Sequence, residues 1–221
     1  MLAMSHLQSF AAWGGLLLSL LMVLGYEVHA HRASRRDPTH QARFVNARMR
    51  QAWVQAMCTQ PGFEIVAVQA LRNALMSATV AASTAALVLM ASVTLGGASI
   101  AAGLTQLNAA SLSALHVLLG VGAVALLFAS YVCAAMSMRY YGNATLVMSL
   151  PVNSPQRQQL NPLAEDYVQR AGLLYGWALR MFFLMVPAVA GVVHPYALVP
   201  ATVGVLVGLH FFDRPTAIEL G

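Results

Sequence analysis

The 221 residues contain no lysine, two cysteines and only 9% charged side chains, and each shortage excludes something. A soluble domain carries roughly a quarter of its residues as charges, so 9% charged against 59% hydrophobic leaves no polar surface for one. The absence of lysine makes all twelve basic residues arginines; this fits a GC-rich genome and carries no function. Cys58 falls in an Arg-rich segment and Cys133 near the inner end of an apolar run, a pattern of free thiols in a reducing compartment rather than a disulfide framework. There is no HExxH, P-loop, GxSxG or paired-carboxylate arrangement to carry catalysis, and the expectation is a protein that is not an enzyme.

What is abundant is uncharged sequence. Four blocks, Leu7–Tyr26, Asn73–Met138, Met181–His194 with the turn before it, and Pro195–Phe212, approach or exceed the roughly 20 residues that cross about 30 Å of hydrocarbon. The second is too long for one pass and must fold back, and Gly96, Gly97, Ala98, Ser99, Gly103 and Asn108 supply the residues of a turn. The fold class expected is all-α: a polytopic bundle forming a single membrane domain over 1–221. Its spans fall at about 11–28, 74–95, 111–137, 173–193 and 196–212, and its cytoplasmic loops at about 29–72 and 139–171.

Charge sets the orientation. Arg32, Arg35, Arg36, Arg43, Arg48, Arg50 and Arg72 share the first long polar region with only Asp37 and Glu64, and on this layout all twelve arginines and seven acids lie at or inside the inner boundary. The positive-inside rule then places the N-terminus outside and the C-terminus inside, as in a bacterial inner membrane. Val28-His29-Ala30 resembles a signal-peptidase site, but no basic residue precedes the apolar stretch and three arginines follow it, which is the pattern of an uncleaved first span.

Between spans one and two, Thr39–Thr59 has no Gly or Pro and places Phe44 or Val45, Met49, Ala52, Trp53, Ala56 and Met57 at helical spacing, opposite Arg43 and Arg50. This reads as an amphipathic helix, lying on the membrane surface or packed on the protein's own spans. Pro61-Gly62 breaks it, and a helix from Phe63 to Leu95 follows. Span three ends at Arg139, Tyr140 and Tyr141, an interfacial anchor of basic and aromatic type. The second loop, with Pro151, Pro155, Pro162 and the acids Glu165 and Asp166, ends in a short helix leading to span four, and spans four and five form a hairpin about His194-Pro195.

The stretch Val68-Gln69-Ala70-Leu71-Arg72-Asn73-Ala74-Leu75-Met76-Ser77-Ala78-Thr79, continuing through Ala82-Ser83-Thr84, resembles the signature of the membrane family called domain of unknown function 599. Met138-Arg139-Tyr140-Tyr141-Gly142-Asn143 and then Tyr175, Ala178-Leu179-Arg180, Pro187 and Asp213 resemble its later landmarks in the same order. The resemblance implies a membrane protein of four or five helices found in bacteria and plants, with no established activity, substrate or cofactor. His210 departs from the family pattern, so the resemblance lends no histidine function.

Three features are candidates for a role. Ala70, Ala74, Ala78, Ala82 and Ala86 recur every four residues along helix two, as do Ala125, Ala129, Cys133 and Ser137 in span three, and Gly172 with Gly176 and Gly204 with Gly208 form small-xxx-small pairs; such ridges suit packing within the bundle or self-association. Gln69, Arg72, Asn73, Ser77, Thr79, Ser83 and Thr84 give helix two a polar flank that suits a solute path, or that satisfies itself on the preceding helical turn. Arg180 sits among Trp177, Leu179, Met181, Phe182 and Phe183, where a charge costs about 2.5 kcal/mol or more unless it snorkels or pairs. Asp213, on the adjacent antiparallel helix and roughly 6 Å away in height, or another acid, is the expected partner.

The histidines allow a haem reading, with His116 and His194 toward the outer face and His29 or His31 and His210 toward the inner one. None has a characteristic spacing, and the expectation is no cofactor and no metal. The function expected is that of a self-associating scaffold or accessory subunit partnered by the lipid bilayer and by itself or another membrane protein, with no nucleic acid. The alternative is an ion or small-solute channel or transporter using the polar flank of helix two.

Overall fold

The computed structural model describes residues 2–36, 42–105 and 112–213, and among them the chain is helical apart from short turns, without a strand. The helices are α1 (Leu2–Arg36), α2 (Ala42–Thr59), α3 (Glu64–Thr105), α4 (Leu112–Met148) and α5 (Pro155–Val193), then a 3-10 turn at Pro195–Ala197 and α6 (Leu198–Asp213). Five segments are long and apolar enough to cross a membrane: Phe10–Ala30, Glu64–Ala98, Ala114–Met148, Pro155–Val193 and Pro195–Asp213. The chain is an all-α membrane protein.

The helix ends have local causes. Gly62 takes φ +88° between α2 and α3, the left-handed region where a β-carbon is strained. Ser154 caps α5, its Oγ accepting the Arg157 N–H at 3.2 Å, and Pro155 fills the first helical position, where the missing N–H costs nothing.

Elsewhere the helices outrun their sequence signals. α3 continues through Gly96, Gly97 and Gly103 to Thr105, so the turn expected at 96–108 is helix in its first ten residues and its remainder lies outside the described residues. Glycine costs a helix only about 1 kcal/mol, whereas an unsatisfied backbone in hydrocarbon costs several. α4 likewise runs through Arg139-Tyr140-Tyr141 to Met148, and α5 starts at Pro155 and continues without a break to Val193. The second loop is therefore residues 149–154, and the short helix expected before span four is the start of α5 itself.

By contacts the chain divides into two compact units. Among the described residues, the first gathers α1, α3 from residue 86, α4 to residue 128 and residues 180–213. Its core is Ala12, Leu16, Leu115, Leu119 and Leu198, with Trp13 and Ala188 against it. Gly191 permits the tight α4–α5–α6 contact, since a β-carbon there would meet Leu119 Cδ1 at 2.9 Å and Leu198 Cδ1 at 3.1 Å.

The second unit gathers α2, α3 to residue 85, α4 from residue 129 and α5 to residue 179. Val54, Ala67, Leu71, Ala78, Tyr141, Ala144, Val147, Met148, Ala164, Val168 and Ala171 form its core. Two hydroxyls bond across α4 and α5, Ser130 Oγ donating to the Ala178 carbonyl at 2.8 Å and Ser137 Oγ to that of Ala171 at 2.9 Å. Val54 is 1% exposed in this core, and Gln169 Nε2 donates to the Ala47 carbonyl at 2.8 Å. Of the two positions open to α2, it occupies the one on its own chain.

Candidate functional site

The first unit holds a polar cluster built on Arg180. Its side chain is 8% exposed, and Nη1 donates to Glu27 Oε1 at 2.8 Å while Nη2 donates to Asp213 Oδ2. Tyr26 Oη donates to the same Asp213 oxygen at 2.8 Å. Beside the cluster the rings of Phe183 and Phe212 stack with centroids 6.3 Å apart. α5 thus presents one guanidinium to carboxylates from α1 and α6, which satisfies a charge that would be costly alone in a span. The structure brings Arg180 and Asp213 together and adds Glu27 and Tyr26, which sequence reasoning did not single out. The available signal was Glu27's position at the inner end of the first apolar run, the same end as Asp213.

The second unit holds a second buried arginine, which sequence reasoning missed. Arg157 is 0% exposed. Nη1 donates to the carbonyls of Val147 at 2.7 Å and Leu150 at 3.2 Å, Nε to Asn161 Oδ1 at 2.9 Å, and Nη2 to the Met57 carbonyl at 3.5 Å and to Met148 Sδ. Val147 and Met57 lie in the last turns of α4 and α2, where orphan carbonyls and the negative end of the helix dipole favour a cation. Glu64, in the first turn of α3, accepts the Val152 N–H at 3.2 Å. Four helix ends are thereby tied at one point. The overlooked signal was an arginine three residues after the cap Ser154, a first-turn position that the helix dipole disfavours for a cation unless it has partners elsewhere.

The remaining candidates divide by face. On α3, Ala78 and Ala82 are buried, Ala74 and Ala86 half-buried and Ala70 exposed, whereas Gln69, Arg72, Asn73, Ser77, Thr79, Ser83 and Thr84 are all exposed. In the single chain the polar residues are turned outward, away from the buried side of the ridge. Ser77 Oγ donates to the Asn73 carbonyl at 3.1 Å and Thr79 Oγ1 to that of Leu75 at 2.8 Å, which lets them face lipid.

The glycine pairs also separate. Arg50, not a helix backbone, lies over Gly172, while a β-carbon at Gly176, Gly204 or Gly208 would meet nothing within 4 Å among the described residues. Those three glycines make no close helix contact among the described residues. Tyr141 is 8% exposed and belongs to the second unit's core, and Tyr140 packs its ring 5.6 Å from that of Tyr167. Only Arg139 of that trio is exposed, because α4 continues past the expected interface and carries the tyrosines inward.

A family model described as "Protein of unknown function, DUF599" matches residues 15–217. The chain belongs to the DUF599 family. No curated protein and no solved structure matches it.

Among the described residues of this DUF599 protein, no group of three His, Cys, Asp or Glu is placed to hold a metal ion. His29, His194 and His210 are exposed and His116 is half-buried, and the His194 ring packs on that of Tyr196 at 5.4 Å. The side chain of His31 lies outside the described residues. The arrangement of Arg180 and Arg157 is chemically one of restraint: each guanidinium ties helices together.

Proposed function

We propose that this DUF599 protein is a non-enzymatic, self-associating membrane protein that serves as a scaffold or accessory subunit, and that two copies meet on the outward face of α3. The observation that carries this reading is the division of that helix: its small-residue ridge is used inside the chain, and its polar residues point out of it. Amide and hydroxyl side chains both donate and accept, so Gln69, Asn73, Ser83 and Thr84 complement the same residues of a second copy better than they complement lipid. Arg72 lies toward the edge of this face. The membrane is a bacterial inner membrane in this reading, with the N-terminus periplasmic and the C-terminus cytoplasmic, as the arginine distribution favours. A solute path along α3 would need walls from several copies, so the channel reading depends on the same association.

Cysteine cross-linking in native membranes tests it. In a background with Cys58 and Cys133 replaced by Ser, S83C forms a disulfide-linked dimer on mild oxidation, since a symmetric contact brings the two α-carbons within about 7 Å. V203C, on an exposed position of α6, stays monomeric. A monomer in both variants, or equal dimer in both, removes α3 as the contact.

A further inference from the structure

Among the described residues three arginines are withdrawn from water, and one of them keeps a buried N–H without an acceptor. Arg157 is met by carbonyls and Arg180 by carboxylates. Arg50, on α2, is half-buried, and its Nε is buried without a hydrogen-bond acceptor. Burial pushes its guanidinium pKa down, with only the nearby Tyr141 acting the other way. Among the described residues the ion pairs belong to Arg170 and Arg180, not to Arg50.

Its seat is specific. A β-carbon at position 172 would meet Arg50 Cζ and Nε at 2.7 Å and Cδ at 2.9 Å, so glycine is what lets the guanidinium lie against α5. One turn earlier on α5, Gln169 holds the Ala47 carbonyl of α2 at 2.8 Å, which fixes the two helices at that spot. Uncompensated charge in a partly dry site is costly, and a planar guanidinium is matched best by a phosphate or carboxylate. In a membrane protein the phosphate at hand is that of a phospholipid.

We propose that Arg50 on its Gly172 seat binds the phosphate of an anionic phospholipid at the α2–α5 contact. The site does not use the outward face of α3 and stands independently of self-association.

The experiment uses the purified full chain in neutral detergent, read by thermal unfolding and by native mass spectrometry of bound lipid. Phosphatidylglycerol raises the unfolding temperature saturably and is retained in the gas phase, whereas phosphatidylcholine of the same acyl chains is not. R50Q weakens phosphatidylglycerol binding about tenfold or more, and R48Q, an exposed arginine on the same helix, leaves it unchanged. G172A, which displaces the guanidinium without altering charge, weakens it as well. Should R50Q fail to fold, R50K decides, keeping the charge but losing the planar fork; unchanged affinity there overturns the proposal. Equal loss in R48Q and R50Q shows non-specific attraction and overturns it, and saturation of the same effect by inorganic phosphate alone overturns the assignment to lipid.

Discussion

Arg157 and Val147 stand ten residues apart in sequence, and the Nη1-to-carbonyl bond of 2.7 Å between them closes the loop that joins α4 to α5. The same guanidinium also reaches the end of α2 through the Met57 carbonyl. One side chain therefore satisfies carbonyls that two helices leave open at their ends, and it does so without a carboxylate among its hydrogen-bond partners.

Arg157→Met is expected to destabilise the protein by about 3 kcal/mol or more, because it strands several buried carbonyls at once. Arg157→Lys is expected to recover only part of this loss, since an ammonium lacks the planar fork that spans them. Arg170→Ala, which breaks an exposed pair with Asp166, serves as the control and leaves thermal unfolding in detergent unchanged. Equal unfolding temperatures for the Arg157 and Arg170 variants would show that the helix junction contributes nothing special.

Arg180→Ala is expected to cost about 3–5 kcal/mol, as it leaves two carboxylates without their cation. Asp213→Ala and Glu27→Ala cost less, because each leaves Arg180 one remaining partner, and Tyr26→Phe costs about 1 kcal/mol for its single bond. In a double-mutant cycle the Arg180→Ala, Asp213→Ala pair loses less than its single losses combined. Strict additivity, or a neutral Arg180→Gln, would mean that Arg180 reaches the interface instead of holding α1 and α6.

Ala78→Leu and Ala82→Leu are expected to overpack buried positions and destabilise by about 1–3 kcal/mol. Val80→Leu, on the exposed side of the same helix, changes stability by less than about 0.5 kcal/mol. Chemical or thermal unfolding of the three variants separates the faces of α3, and wild-type stability of both alanine variants would contradict the buried ridge.

Burial pushes the Cys58 thiol up, with Arg157 pulling it the other way. A raised thiol pKa means less thiolate at any given pH, so alkylation of Cys58 in a Cys133→Ser background is expected to be slow at neutral pH. Its rate reaches half-maximum above the ordinary value of about 8.5. Arg157→Met removes the opposing pull and slows alkylation further. Mass-spectrometric rates across pH check this, and a midpoint at or below that of a free thiol would contradict it.

Reporter fusions test the orientation proposed from the arginines. A fusion at Asn108 is expected to report the periplasm and one at Gly221 the cytoplasm. The same compartment for both would be incompatible with five crossings.

The helical class and the membrane location were legible in the residues alone. Long apolar runs cannot be solvated, and a hydrogen-bonded helix is the cheapest way for such a run to cross lipid, so run length suffices to indicate helices that can cross a membrane. Arg180 was legible for the same local reason: a cation among Trp177, Met181 and Phe182 needs a partner whatever the fold, and Asp213 stood at a suitable height. The tertiary structure decided which partners actually meet. Glu27 joins the cluster from 153 residues away, and Arg157 takes its acceptors from the end of α2, which Pro61-Gly62 marked, and from the end of α4, which runs past its expected stop to Met148. The glycines at 96 and 97 and the trio Arg139, Tyr140 and Tyr141 read as ends, yet the helices pass through them, since packing and backbone bonding outweigh about 1 kcal/mol of propensity. Spacing likewise revealed an alanine ridge and a polar row on α3, but which of them turns inward depends on what the neighbouring helices bring, and in this chain the ridge meets Ala134 and Ala178 while the polar row is left outside.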